Sequence, residues 1–310
     1  MSKRVLLASS SLLALPTLHA LKMRSDLEVV GILSTPDRPK GRHGTPSPNE
    51  LVEHLSTNVL EIWKPNTPSE ILNALDQANP DLVVVIAYGR LIRREALEKV
   101  PLGWINLHFS LLPKFRGAAP VQRAILAGED CFGVTVFKLD EGMDTGPILV
   151  RQPVAISKDA AASEILQSLS EDGAISVLQS IDRLLNGDSP EEQSGESSLA
   201  PKISKDELRL DLDRSHVEIL RQIRAFTKAP GVWFTYKGKR HRVTSARGSS
   251  TRVPLARLAS IDGNAHLGTK GGSVEILAIV PEGKREMAGG DWIRGLHLSD
   301  GGVSEDCVDS

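Results

Sequence analysis

Residues 81–87 read DLVVVIA and residues 103–108 read GWINLH. The first is an unbroken apolar run, the pattern of a strand covered by helices on both faces. The second closes another strand. Further strands are predicted over residues 4–8, 27–34 and 132–139. Helices fall between them. Leu12, Leu15, Leu18 and Leu21 repeat every third residue after a serine turn, and a helix starts near Asn49. Thr67, Pro68 and Glu70 make an N-cap, a first-turn proline and a capping box. Residues 159–185 read as a helix ended by Asn186-Gly187. Strands alternating with helices predict an open, mostly parallel α/β sheet over residues 1–186.

Residues 187–204 (GDSPEEQSGESSLAPKIS) lack apolar periodicity and read as a linker. From 205 to 310 the pattern changes. Ser215 and Glu218 form a second capping box before a helix to Phe226. Short strand-like runs follow at 232–236, 241–245, 265–267 and 274–280, the pattern of a small β-barrel.

The chain has 310 residues, 40% of them apolar, enough for two cores. Its 37 basic and 39 acidic residues leave a net charge of −2, which excludes a uniformly basic nucleic-acid wrapper. Two cysteines, Cys131 and Cys307, build no disulfide framework and fit a reducing compartment. No apolar run reaches the ~20 residues a membrane span needs. Lys3 and Arg4 precede an apolar stretch as in a signal peptide, but a second strand follows rather than a small-residue cleavage box. A cytoplasmic protein is expected. No glycine fingerprint follows the first strand, no Walker sequence occurs, and no His or Cys pair has zinc spacing, so no metal is expected.

Charge is uneven. Between Ile219 and Leu258 lie ten basic residues and no acidic one. Two readings stand: a solvated face balanced by acids such as Asp206 and Asp211, or a surface that tracks a phosphate backbone.

Residues 104–125, WINLHFSLLPKFRGAAPVQRAI, carry the chemistry. Asn106 and His108, two apart at a strand end, share a face. In open parallel sheets ligands bind beyond the strands' carboxyl ends. Taken alone, the pair is a weak signal, since a lone strand histidine is more often a satisfied core residue. SLLP at 110–113, RGAAP at 116–120 and DEGMDTG at 140–146 extend the pattern. Asp144-Thr145-Gly146 also matches the aspartic-protease triplet, but that chemistry needs a second copy, which is absent.

Together these strings resemble the 10-formyltetrahydrofolate-dependent formyltransferase family, whose pattern is N-x-H-x-S-L-L-P, then R-G, then D-x-G-x-D-T-G. AYG at 87–89, the DRP…GR…PSP loop at 37–48 and KISKDE at 202–207 extend the resemblance over most of the chain. It implies a Rossmann-like formyltransferase domain followed by an OB-like carboxyl barrel. Asn106 would be the uncharged donor to an oxyanion. His108 would share that task or move protons with a pKa near the working pH, while Asp144 would favour its imidazolium and fix its tautomer. The co-substrate, 10-formyltetrahydrofolate, would lie against Ser110, Leu111, Leu112 and Pro113, with Gly89, Arg90 and Leu91 near its pterin. Gly142 and Gly146 would let their loop approach the ligand. The 37–48 loop and the carboxyl half point to the members whose acceptor is methionine on initiator tRNA. Arg38, Lys40 and above all Arg42 would meet its acceptor end, and Lys237, Lys239 and Arg240 its backbone. A monomer is expected.

The chain departs from the family at residues 9–14, SSSLLA, where a Gly-Thr-Pro-Glu-Phe-Ala turn is usual, and at Phe109, where a small residue is usual. Phe109 is expected in core packing. Rival readings are a formyltransferase acting on a small amine (an amino sugar or glycinamide ribonucleotide) and a tRNA-binding protein without activity.

Overall fold

The apolar run at Leu82–Ile86 is a central strand of a seven-stranded sheet, in a computed structural model that describes residues 2–39, 44–57, 60–227, 230–299, 301–304 and 308. Its strands are β1 (Lys3–Ser9), β2 (Leu27–Leu33), β5 (Ile62–Trp63), β6 (Leu82–Ile86), β7 (Trp104–His108), β8 (Phe132–Lys138) and β9 (Ile148–Val154). The spatial order is β5-β2-β1-β6-β7-β8-β9. The first five are parallel; β8 is antiparallel to both neighbours. Two short strands, β3 (Arg38–Pro39) and β4 (Pro46–Ser47), pair by themselves.

Along the chain these strands alternate with or are followed by helices α1 (Leu15–Lys22), α2 (Glu50–His54), α3 (Pro68–Ala78), α4 (Arg94–Lys99), α5 (Pro120–Ala127) and α6 (Ala162–Asn186). The caps work as the sequence suggests: Thr67 accepts from the Glu70 N–H at 3.2 Å, and Asn49 from Val52 at 3.1 Å. Helix α1 starts later than Leu12 because Ser11 caps a 3-10 turn over Leu12–Ala14 first.

One sheet face, bearing Leu6, Ala8, Val83, Val85 and Trp104, packs on Ile71, Ala74, Leu75 and Ala78 of α3 and Ala96 of α4. Each buried Ile or Leu here contributes roughly 1.5–3 kcal/mol. The Trp104 indole donates to the Ala96 carbonyl at 2.8 Å, so no polar atom is stranded. On the opposite face Leu107 meets α6 at Gly173, where a Cβ would come within 2.6 Å of the leucine.

The chain divides into two compact units. The first holds Met1–Pro120, Cys131–Ile156 and Leu166–Pro201; the second holds Val121–Asp130, Ser157–Ile165 and Lys202–Ser310. Residues 187–201, read above as linker, are hydrogen-bonded to the first unit. Glu191 exchanges bonds of 2.6 and 2.8 Å with Ile148, and Arg116 exchanges bonds with Ser198 and Ala200.

In the second unit, α7 (His216–Phe226) begins with the Ser215–Glu218 capping box. An antiparallel sheet follows: β10 (Val232–Tyr236), β11 (Lys239–Ser249), β12 (Leu258–Ile261), β13 (Asn264–Thr269), β14 (Gly272–Pro281) and β15 (Met287–Ala288), then α8 (Gly289–Arg294). The order is β10-β11-β14-β13-β12, with β15 on β14. Lys237 and Gly238 turn the first hairpin at φ 50° and 71°, as a two-residue primed turn requires. No described helix is long and apolar enough to cross a membrane.

Candidate active site

Strand β7 carries Asn106 and His108 on the same face as Trp104. The strand is held between β6 and β8, with Asn106 opposite Val85 and Phe137 and His108 opposite Thr135. Three connections border a cleft of about 660 Å³: residues 87–92, 109–120 and 139–144. Its lining includes Asn106, His108 and Asp144, which the sequence places 38 residues apart at most, and the size suits a small-molecule site.

His108 is buried. Its Nε2 lies 2.9 Å from the Phe115 carbonyl oxygen, and its Nδ1 lies 3.6 Å from Asp144 Oδ2. A carbonyl only accepts, so Nε2 carries the proton and Nδ1 presents its lone pair. Burial pushes the His108 pKa below its ordinary value. Asp144 and the Phe115 carbonyl pull it upward but do not prevail. The resting imidazole is therefore neutral: Asp144 favours the imidazolium, but the ring loses more by leaving water than it gains from a carboxylate 3.6 Å away.

Asp144 sits at φ 54°, and its Oδ2 accepts the Gly117 N–H at 2.7 Å. Its loop is shaped by Asp140, whose carboxylate accepts from Gly142 N at 3.0 Å and Thr145 Oγ1 at 2.8 Å. Both glycines are needed for this folding, and Gly142 also lines the cleft. A Cβ on Gly142 would stand 1.9 Å from Thr145 Oγ1, and one on Gly146 1.8 Å from the Lys138 carbonyl oxygen. Asn106 is half-buried, and among the described residues none hydrogen-bonds its side chain.

Gly89, Arg90 and Leu91 line the cleft. Arg90 is anchored to the carbonyls of Pro65 and Asn66, whereas Leu91 is exposed. Ser110, Leu111, Leu112 and Pro113 do not line it. They build the turn that brings Phe115 and Gly117 to the histidine and aspartate. Ser110 Oγ donates to the Lys114 carbonyl at 2.6 Å, and Thr135 Oγ1 donates to the Ser110 carbonyl at 2.7 Å. Leu112 is fully buried with Phe137 and Ile148. Phe109 is buried as expected, yet it also lines the cleft. Sequence reasoning passed over Tyr88, a buried wall residue whose phenol burial pushes up to about 12, and Gly117, whose signal was the RG step after SLLP.

Of the basic candidates, Arg38 is exposed on β3, while Lys40 and Arg42 lie outside the described residues. Lys237, Lys239 and Arg240 cluster at the exposed β10–β11 turn. The Arg240 guanidinium stacks 4.0 Å over the Trp233 ring, and Lys237 Nζ lies 5.6 Å from the Tyr236 ring. Other members of the basic run serve the fold: Arg247 pairs bidentately with Glu275 at 2.8 and 2.9 Å, and Arg257 donates to the Ser304 carbonyl. Among the described residues no cluster of three or more His, Cys, Asp or Glu could hold a metal ion.

Residues 3–181 match the formyl transferase family, and residues 202–297 match the formyl transferase C-terminal domain. A methionyl-tRNA formyltransferase of Thermus thermophilus is 40% identical over 305 residues, covering 96% of this chain and 98% of that one. Its counterpart in Renibacterium salmoninarum is 36% identical over 304 residues, covering 97% and 99%. Among solved structures, HypX from Aquifex aeolicus in complex with tetrahydrofolic acid superposes with a TM-score of 0.64 at 19% identity, over 94% of this chain and 46% of that one; this likeness is one of fold.

Proposed function

The chain belongs to the formyl transferase family, and from that premise we propose that it transfers the formyl group of 10-formyltetrahydrofolate to the α-amino group of methionine on initiator methionyl-tRNA, for translation initiation. The observation that carries this reading is near-full-length likeness to proteins named methionyl-tRNA formyltransferase, spanning both units. Asn106, His108 and Asp144 on one cleft support it.

The chemistry assigns each residue a task. The amine nitrogen bonds to the formyl carbon, and the carbonyl π electrons move to oxygen. Asn106 donates its amide N–H to that oxyanion without bringing a charge of its own. A donor of this kind is worth about 2.7–4 kcal/mol in comparable sites. The nitrogen must shed a proton as it attacks. His108 Nδ1, the unprotonated edge, takes it. Asp144 then faces a cation instead of a neutral ring, so its charge acts as the reaction proceeds. Breakage of the bond between the formyl carbon and folate nitrogen expels an amine that takes the proton from the imidazolium. The histidine returns to its starting form.

Arg38, Lys40 and Arg42 are assigned to the tRNA acceptor end, and Lys237, Lys239 and Arg240 to backbone phosphates, with the Arg240 guanidinium resting over the Trp233 ring. The reaction belongs to the cytoplasm and to a monomer.

The test is formyl incorporation into initiator methionyl-tRNA beside an amino sugar and glycinamide ribonucleotide, repeated over a salt series. Transfer to the tRNA with a steep decline in salt is expected. Preferential transfer to a small amine would overturn the acceptor assignment, and a flat salt response would remove the phosphate contacts.

A further inference from the structure

The catalytic aspartate is held by a residue far along the chain. Gln193 lies within the 187–201 segment, where composition alone suggests a linker. Its Nε2 donates to two carbonyls of the aspartate loop, Asp144 at 2.9 Å and Gly146 at 2.8 Å. Its Oε1 accepts from Arg116 Nη2 at 2.6 Å and Nε at 3.2 Å. Both donors and the acceptor of one carboxamide are thus committed, and they join the two walls that meet at His108. The wall at 113–119 supplies the Phe115 carbonyl to His108 Nε2 and the Gly117 N–H to the Asp144 carboxylate. The wall at 140–146 carries Asp144 itself.

The segment is pinned at both ends. Glu191 pairs with Ile148, just beyond the aspartate loop, and Ser198 Oγ accepts the Phe115 N–H at 2.9 Å. Ala200 completes the second anchor by accepting from Ala119 at 3.1 Å. A Cβ on Gly117 would stand 2.7 Å from the Ala200 carbonyl oxygen, so the segment presses on the very residue that bonds the carboxylate. Asp144 occupies a left-handed backbone conformation at φ 54°, which costs energy in a non-glycine residue unless its surroundings hold it.

We propose that Gln193 is a positioning residue for formyl transfer, its carboxamide fixing the Asp144 carboxylate at its working distance from His108 Nδ1 by tying the aspartate loop to Arg116. This rests on the reading that His108 and Asp144 move the proton. Gln193 touches neither substrate nor reacting atoms. Its removal therefore lowers turnover without weakening substrate binding. It also shifts the histidine's titration, because Asp144 is the charged group that raises it.

The experiment compares Gln193→Met, which keeps length and loses all four bonds, with Gln193→Glu, which keeps an acceptor for Arg116 but sets a carboxylate against two carbonyls. The full chain is used, with 10-formyltetrahydrofolate and initiator methionyl-tRNA. For Gln193→Met, kcat should fall about tenfold, as misplacements well under 1 Å do, with KM for either substrate changed less than about twofold. The acid limb of its pH–kcat profile should move to lower pH. Gln193→Glu should lose at least as much. An unchanged kcat in both variants overturns the proposal. So does a lower melting temperature with kcat and the acid limb intact, which marks a purely structural role. Asp144→Asn in the same assay separates the two levels: near-normal turnover there refutes the proton-transfer reading, whereas a large loss there beside normal Gln193 variants refutes only the positioning role.

Discussion

Replacing Asp144 with Asn separates charge from shape at the proposed reacting pair. Asparagine tolerates the left-handed conformation that Asp144 adopts at φ 54°. Its side-chain oxygen still accepts the Gly117 N–H, now 2.7 Å from Oδ2. What disappears is one negative charge 3.6 Å from His108 Nδ1. At an effective dielectric of about 20, that charge stabilises an imidazolium by about 4.6 kcal/mol. With the proton half transferred in the transition state, about half of this is felt, a loss of roughly 50-fold in rate; with full transfer the loss is roughly 2,000-fold. The assay is single-turnover formyl transfer to initiator methionyl-tRNA with enzyme in excess, beside a thermal melt. The acid limb of the rate profile should also move to lower pH, since Asp144 is the larger of the two groups that raise His108 against the effect of burial. A decline below about fivefold, with the melt unchanged, would refute the electrostatic role.

Asn106→Ala should lower kcat by about 10²–10³-fold by removing the oxyanion donor. The melting temperature should hold, because among the described residues none hydrogen-bonds the Asn106 side chain; a loss below about tenfold would take Asn106 out of the mechanism. Burial pushes the pKa values of His108, His241 and His266 below their ordinary value. Below about pH 6.5 the unfolded chain then binds more protons than the folded one, so stability is whole above that pH and drains away on acidification. Melts from pH 7.5 to 5 should record the fall. His241→Phe, which keeps a ring against Phe234 and Trp292, should make it shallower. An equally steep fall in that variant would place the acid sensitivity elsewhere.

The strands and helices of the first unit were legible where one local signal dominated. DLVVVIA is apolar throughout because both its faces are covered, and Thr67, Asn49 and Ser215 cap helices because each offers an oxygen to an N–H three residues ahead. Strand β9 gave no such signal. It buries only Ile148 and Leu149, lies at the sheet edge and contains Pro153, which an edge strand accommodates. β12 and α8, four and six residues long, are likewise too short for a period to show in the sequence. Asn106, His108 and Asp144 were legible as residue types at a spacing, and their family resemblance supplied the roles. The protonation state of His108 was not, since it depends on how much water the folded chain removes.

Local chemistry therefore determined the strand–helix alternation, the caps, the basic run and the identity of the three polar side chains. Tertiary structure alone decided that residues 187–201 bond to the aspartate loop, that Ser110–Pro113 form the turn leading to Phe115 and Gly117, and that the histidine rests neutral. The physical reason is range. Capping and periodicity act within a few residues, whereas desolvation and a hydrogen bond such as Gln193 to Asp144, spanning 49 positions, exist only once the chain has closed on itself.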